Sequence, residues 1–122
     1  GAGQRPADIL YDRAGSAFAI APATADWAQV LKGSDWLHVS GVPGSHVVVR
    51  NPDGLDELPR PVLEAAAALA AWHSKARGAR GKVEVHVCRV ADVSKPRGSA
   101  PGEVRLRRWD AIKVYPRASV RS

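Results

Sequence analysis

The sequence predicts a single α+β domain in which a mostly antiparallel or mixed sheet packs against one long helix and one shorter helix. Three observations lead to this fold class. Short stretches of alternating apolar and polar residues lie before and after an alanine-rich segment with helical periodicity. Glycine and proline clusters separate the elements at short intervals. At 122 residues the chain has room for one such domain.

We place the domain at residues 9–117 and expect residues 1–8 and 118–122 to be flexible tails. Hydrophobic residues make up 45% of the chain and charged residues 25%, which suits a compact core. Cys88 is the only cysteine, so no intramolecular disulfide can form, and we expect a cytoplasmic protein. No segment has the length and hydrophobicity of a membrane span, so no membrane partner is expected.

The chain should begin with a hairpin followed by the shorter helix. Apolar runs at residues 9–11 and 17–20 flank a stretch of turn-forming residues. A helical pattern then runs from residue 24 to residue 31, and Gly33 lies just beyond it as the expected stop.

The long helix is predicted at residues 62–77. Pro61 suits its first turn, its alanines have high helix propensity, and Gly78 is the expected stop. Lys75 and Arg77 would lie in its last turn, where cations complement the helix dipole. Its sheet-facing side is expected to carry one stripe of residues, with the outer side in solvent: Val62, Ala66, Leu69, His73 and Ala76.

The remaining strands are predicted from alternation and turn signals. Residues 36–40 and 46–50 form a pair around a Gly-Val-Pro-Gly-Ser loop, and residues 103–108 and 111–115 form a final hairpin. Residues 82–90 alternate clearly, with valines on one face. The other face of that strand carries Glu84, His86 and Cys88.

The charge is distributed unevenly along the chain. Residues 1–72 hold 5 basic and 8 acidic side chains, a net charge of −3, whereas residues 73–122 hold 13 basic and 4 acidic, a net charge of +9. A clustered positive field favours a polyanionic partner because phosphate backbones release counterions on binding. The alternative is a basic surface that serves only solubility.

Two segments resemble the signature of the NFACT-R RNA-binding domain family. They read Ser-Asp-Trp-Leu-His-Val from residue 34 and Pro-Gly-Ser-His-Val-Val-Val-Arg from residue 43. The Ser-Lys-Ala-Arg helix ending from residue 74 and the Ser-Lys-Pro-Arg-Gly stretch from residue 94 are similar as well. The resemblance covers residues 34–117 and weakens upstream, and Leu37 stands where the family usually has Phe.

The resemblance implies the small RNA-binding module of ribosome quality-control proteins, with structured RNA such as tRNA or rRNA as its partner and no cofactor. The Pro-Gly-Ser-His turn is the first candidate site, because consecutive backbone N–H groups in a tight turn can hold a phosphate. Gly44, Ser45 and His46 belong to this turn, His38 is expected beside it, and Arg50 follows the next strand. A purely structural turn is the alternative.

Further candidate RNA-binding residues lie in the basic half of the chain. Cations of an exposed loop and of the last predicted hairpin suit phosphate contact, and an aromatic ring near the hairpin tip suits base stacking. The candidates are Lys75, Arg77, Lys95, Arg97, Arg105, Arg107 and Trp109, with Arg108 and Lys113 nearby. Helix capping by Lys75 and Arg77 and core packing of Trp109 are the alternatives, and the other tryptophans, Trp27, Trp36 and Trp72, are assigned to the core.

Other functions are considered beside RNA binding. A protein-interaction adapter in a ribosome-associated or RNA-modification complex is compatible with the sequence. A hydrolase or nuclease would use Asp35, His38, Ser45 and His46, but no nucleophile-elbow or phosphate-loop motif supports it, so we expect no enzyme. His86 and Cys88 share a strand face, yet two candidate ligands without a second pair predict no metal site.

Overall fold

The computed structural model describes residues 8–11, 17–22, 33–41, 46–51, 54–94, 97–98 and 104–118. Within these residues the chain forms eight strands, one α-helix and the short 3-10 helix Val90–Asp92. The helix is α1, Arg60–Trp72. The strands are β1 Asp8–Tyr11, β2 Ala17–Pro22, β3 Asp35–Val39, β4 Val47–Val49, β5 Val83–Arg89, β6 Val93–Ser94, β7 Arg105–Leu106 and β8 Asp110–Val114.

Six of the strands form one sheet in the order β1-β2-β4-β3-β5-β8, and β6 and β7 form a separate two-stranded ribbon. Every pairing among the described strands is antiparallel. The α+β class and the N-terminal hairpin are therefore confirmed. The helix α1 connects β4 to β5, which lie on either side of β3 and run in the same direction because each is antiparallel to β3.

The core lies between α1 and one face of the sheet. Val62 and Leu69 of the helix pack onto the aliphatic side chains of the central strands, of which Leu37, Val47 and Val85 are fully buried. Pro61 lies in the first turn of α1, where its missing N–H has no intrahelical partner to lose. The sequence thus predicted the start of this helix and three of its buried residues, Val62, Ala66 and Leu69, whereas His73 and Ala76 of the predicted stripe lie beyond its end.

The end of the helix was predicted wrongly. α1 ends at Trp72, and Lys75 and Arg77 lie beyond its last turn, which contains no basic residue. Ser74 provides the physical reason, because its hydroxyl donates to the Ala71 carbonyl (2.7 Å) and accepts from the Ala76 N–H (3.0 Å). A serine that bonds locally to the backbone competes with helix continuation. Gly78 is therefore not the stop.

Beyond Glu64 the outer side of α1 is also not in solvent, contrary to the expectation. Seven consecutive residues, 65–71, are buried around the whole circumference of the helix. The backbone N–H of Arg117 donates to the Ala68 carbonyl (3.1 Å), so the chain beyond β8 runs back against the helix. Alanine suits such a helix because its small side chain lets neighbouring backbones approach closely.

Two further expectations differ from the structure. The described residues contain one α-helix, and the shorter helix predicted at residues 24–31 lies outside them. Residues 103–108 and 111–115 do not pair as a hairpin, because β7 pairs with β6 and β8 pairs with β5. Trp36 is in the core as expected, whereas Trp72 is half-buried and Trp27 lies outside the described residues.

The burial of α1 predicts that its outer side will not accept a larger side chain. Ala67→Leu should lower the free energy of unfolding by about 1–3 kcal/mol, because extra methylenes in a packed interior force neighbours apart. Urea denaturation measures the change. Glu64→Leu places the same side chain at an exposed position of α1 and should change stability by less than about 0.5 kcal/mol. Equal effects of the two substitutions would contradict the buried outer side.

Candidate nucleic-acid interface

The two faces of the sheet differ in composition because side chains alternate along each strand. One face meets α1. The opposite face, which we call the ring face, carries Trp36 and His38 from β3 and His86 and Cys88 from β5. The register of the central pair brings them side by side, since Trp36 lies opposite Cys88 and His38 lies opposite His86. Three of these four side chains are aromatic, so the ring face differs sharply from the aliphatic face beneath α1.

The ribbon of β6 and β7 covers one end of the ring face. Val93, Val104 and Leu106 pack against a small cluster of buried residues: Trp36, Val48, Cys88 and Val90. Two contacts continue the ribbon's own pairing by one residue on each side, since the Arg107 N–H donates to the Asp92 carbonyl (2.8 Å) and the Arg107 guanidinium lies 3.9 Å from the Asp92 carboxylate. The rest of the ring face is left uncovered by the ribbon's apolar side chains.

Three rings form a cluster beside the ribbon, at the point where the chain enters β4. The centroids of Trp36 and His46 are 5.1 Å apart, those of Trp36 and His38 are 5.6 Å apart, and those of the two histidines are 4.9 Å apart. Trp36 is buried and both histidines are half-buried. The structure therefore brings His38 next to the Pro-Gly-Ser-His segment, as the sequence predicted, with Trp36 as their common support.

The environment of His46 keeps its ring neutral. Burial, with a smaller contribution from neighbouring His38, lowers the pKa of His46 from 6.5 to about 4. Burial disfavours the charged imidazolium because the interior solvates it poorly. At neutral pH this ring is therefore a hydrogen-bonding and stacking group and contributes no positive charge to phosphate binding.

A second ring pair continues the row toward the edge strand β8. The rings of His86 and Trp109 have centroids 5.6 Å apart, and Trp109 directly precedes β8. His86 also lies 3.3 Å from the Glu84 carboxylate on the same strand face. Since His86 is the cross-strand neighbour of His38, rings follow one another across the sheet from β4 to β8.

Exposed cations surround this row of rings. Arg105 lies on β7 between two side chains that face the ring cluster, so it points away from the sheet, and Arg107 and Arg108 follow it in the exposed link to β8. Lys113 lies opposite Glu84 and so shares the face of His86. Two more of the predicted cations are exposed: Arg50 directly after β4 and Arg97 in the turn after β6.

Not all predicted site residues join this surface. Lys75 and Arg77 follow α1, which packs on the other face of the sheet, and the Arg77 guanidinium lies over the Trp72 ring (5.1 Å). Gly44, Ser45 and Lys95 lie outside the described residues, so the phosphate-binding turn and half of the basic loop remain predictions.

Of the residues of the hydrolase alternative, Ser45 lies outside the described residues and Asp35 lies on the other face of the sheet from the two histidines. Asp35 occupies the helix side of β3, where it accepts a hydrogen bond from Asn51 (3.1 Å) and lies 3.8 Å from the Arg89 guanidinium. Burial raises the pKa of Asp35, while Arg89 and Asn51 oppose the rise. The strand backbone separates this carboxyl from His38, so the two cannot share a proton directly.

Cys88 is buried beneath the ribbon. Burial, followed by the charges of Asp92 and Asp35, raises the pKa of the Cys88 thiol to about 12. The thiolate needed for a metal ligand or nucleophile is therefore disfavoured. Within the described residues no group of three or more His, Cys, Asp or Glu side chains is placed to hold a metal ion.

The sequence prediction missed His86 as part of the site. It was noticed only as a metal candidate, because its position beside His38 and Trp109 depends on the pairing of β5 with both β3 and β8. The available signal was its place on the polar face of an alternating strand, opposite the valines. That alternation shows which face of the strand carries His86, but not that His38 and Trp109 lie beside it.

Comparison with known proteins shows that the chain is similar to one segment of longer proteins. The chain is 41% identical over 86 residues to the Rqc2 homolog RqcH of Streptococcus suis, a match that covers 70% of this chain and 15% of that protein. It is 36% identical over 83 residues to the Rqc2 homolog RqcH of Bacillus subtilis, covering 68% and 14% respectively. The chain thus spans about one seventh of the length of these relatives. No protein-family model matches it.

A solved structure shares the fold. The C-terminal part of the fibronectin/fibrinogen-binding protein from Streptococcus suis superposes with a TM-score of 0.76 at 30% sequence identity. The superposition covers 96% of this chain and 47% of that one. Within the described residues, no helix has the length and apolar character needed to cross a bilayer.

The fold and the ring face define a small α+β domain with an aromatic and cationic surface on the sheet face that α1 leaves open. Over about 70% of its length this domain is similar to one segment of the RqcH proteins, and it shares its fold with the Streptococcus suis structure.

The lowered pKa of His46 predicts a pH-dependent stability. Between pH 6.5 and about 4 the unfolded chain binds a proton on His46 that the folded protein does not, so the free energy of unfolding should fall as the pH is lowered through this window. The contribution of this group is at most about 3 kcal/mol. Urea denaturation from pH 7 to pH 4 should show a shallower decline for His46→Gln than for the wild type. Parallel pH profiles of the two proteins would contradict the burial argument.

Proposed function

We propose that this chain is an NFACT-R-type RNA-binding domain that holds structured RNA, tRNA or rRNA, on the ring face and the adjoining ribbon. The observation that carries the proposal is the row of rings across β4, β3, β5 and β8 with exposed arginines along its border. Aromatic and cationic side chains on one sheet face suit a ligand that combines phosphates and base edges. The net charge of +9 in residues 73–122 supports the same ligand class.

In this proposal phosphate contacts provide most of the affinity. The contributing cations are Arg50, Arg97, Arg105 and Arg107, together with Lys95 and the turn from Gly44 to His46. Guanidinium groups match phosphate oxygens in a bidentate geometry. Because these contacts follow the backbone, the domain reads the shape of the RNA more than its base sequence. It binds without a cofactor and catalyses no reaction.

The biological setting is part of the same proposal. The resemblance and the RqcH relatives support a role in ribosome-associated quality control and translation, in the cytoplasm, for the longer proteins that contain such a segment. This domain would contribute RNA affinity to that role. Any further activity would belong to segments that it does not match.

The proposal predicts salt-dependent RNA binding that depends on the ribbon. Arg97→Ala/Arg105→Ala should weaken tRNA binding several-fold at low salt. It should also reduce the slope of log affinity against log salt by about 1–2, because fewer counterions are released on binding when phosphate contacts are lost. Fluorescence-anisotropy titrations of tRNA, duplex RNA and duplex DNA at two or more salt concentrations measure both quantities.

The matched control also removes two positive charges, but on the side of the sheet where α1 packs. Lys75→Ala/Arg80→Ala removes two exposed cations that follow α1 and should leave the salt slope near that of the wild type. Equal losses in both double variants would contradict a site on the ring face. Wild-type binding no tighter than the roughly 10⁻⁴ to 10⁻⁶ M of non-specific polyanion attraction would remove RNA as the ligand and favour a protein partner.

A further inference from the structure

Trp109 has an unusual combination of exposure and support. Its side chain is 51% exposed, although indoles are usually well buried in small domains. Its orientation is nevertheless supported on one side, where the ring meets His86 at an interplanar angle of 41°. His86 is in turn supported by the Glu84 carboxylate (3.3 Å). The result is an indole held in place at the sheet edge with surface left for another ring.

The charges around Trp109 favour an anionic backbone on either side of it. Arg107 and Arg108 directly precede it and both are exposed, and Lys113 lies on the same strand face as His86. Asp110 is the only acidic residue from residue 104 to residue 118, and Glu84, opposite Lys113, is an acidic side chain on the same strand face. A planar ring between cations suits a nucleotide, because the base can stack on the ring and the phosphates can contact the cations.

We infer that Trp109 and His86 form a stacking site for one unpaired RNA base, with Arg108 and Lys113 contacting the phosphates that flank it. The inference rests on the proposed function, since it names which RNA the same face prefers. A base within a continuous duplex already has both faces stacked on its neighbours and cannot lie on the indole. The domain therefore prefers RNA with a bulged or looped-out nucleotide over a fully paired duplex.

Tyr115 offers a matched comparison at the other end of β8. It is 57% exposed, close to the value for Trp109, but its ring lies under the Lys82 ammonium (5.7 Å) and has no aromatic neighbour among the described residues. By alternation along β8, Tyr115 and Trp109 lie on the same side of the strand, separated by its length. Loss of Tyr115 thus removes a similar exposed ring without touching the stacking site.

The test compares two RNAs of equal length and charge: a duplex with a single bulged nucleotide and a fully paired duplex. The full chain should bind the bulged RNA more tightly. Trp109→Ala should weaken binding of the bulged RNA by about 5- to 100-fold, the loss expected of one base–aromatic stack, and should leave duplex binding within about twofold. Trp109→Phe should retain most of the preference and Tyr115→Ala all of it. Circular dichroism and thermal unfolding check that each variant is folded.

A fluorescent base reports the contact directly. With 2-aminopurine at the bulge, the full chain should quench the fluorescence on binding, and Trp109→Ala should not. Equal loss of affinity for both RNAs in Trp109→Ala, or an equal effect of Tyr115→Ala, would overturn the inference.

The outcomes separate this inference from the proposed function. Salt-sensitive binding of both RNAs without a preference for the bulge overturns the stacking site and leaves RNA binding standing. Absence of binding above the non-specific level overturns both.

Discussion

The register between β3 and β5 is the constraint on which the rest of the structure depends. It places Leu37 beside Val87 beneath α1 and, on the other side, His38 beside His86. Hydrogen bonds beyond the two ends of the pair hold this register, from the Ser40 N–H to the Glu84 carbonyl (3.0 Å) and from the Val90 N–H to the Ser34 carbonyl (2.9 Å). A shift by one residue would turn the aliphatic side chains outward and bury the histidines under the helix. Core and ring face are thus two consequences of one alignment.

A buried polar cluster reinforces that alignment. Asp35 and Arg89 are cross-strand partners in the same register, and Asn51 bonds both the Asp35 carboxylate and the Leu55 carbonyl. Arg89 also donates to the Leu55 carbonyl, so the segment that leads into α1 is attached to the end of the central strands. Buried polar groups cost free energy unless they are paired. Since this pairing exists only in the observed register, the cluster favours one alignment over its neighbours.

Local patterns predicted the elements well, whereas their partners depended on distant residues. The alternating valines of β5 and the alanines of α1 follow from periodicity alone, and Pro61 marks the helix start. The end of α1 depends on how the Ser74 hydroxyl bonds, and the partner of β7 depends on β6 rather than on its neighbour β8. Composition showed neither.

The candidate site was likewise predicted in part from local sequence and in part depended on strand pairing. The segments around His38 and His46 were recognised from their motif, and their contact is seen in the structure. His86 joined the site only through strand pairing, and the positions of Lys75 and Arg77 followed from the face on which α1 packs. Residue type and local spacing therefore indicated the chemistry of the surface, but not its extent.

The ribbon has a consequence for how the surface moves. Each of its strands is two residues long, and it contacts the sheet through a small apolar cluster. Elements with so few buried contacts open locally at much lower free energy than the central strands of a sheet. Amide hydrogens of β6 and β7 will exchange with solvent long before those of β3 and β5. Arg105 thus lies on a strand pair that opens easily, whereas the neighbouring rings lie on stably paired strands. A ligand would therefore contact rings in fixed positions and a cation whose position can adjust.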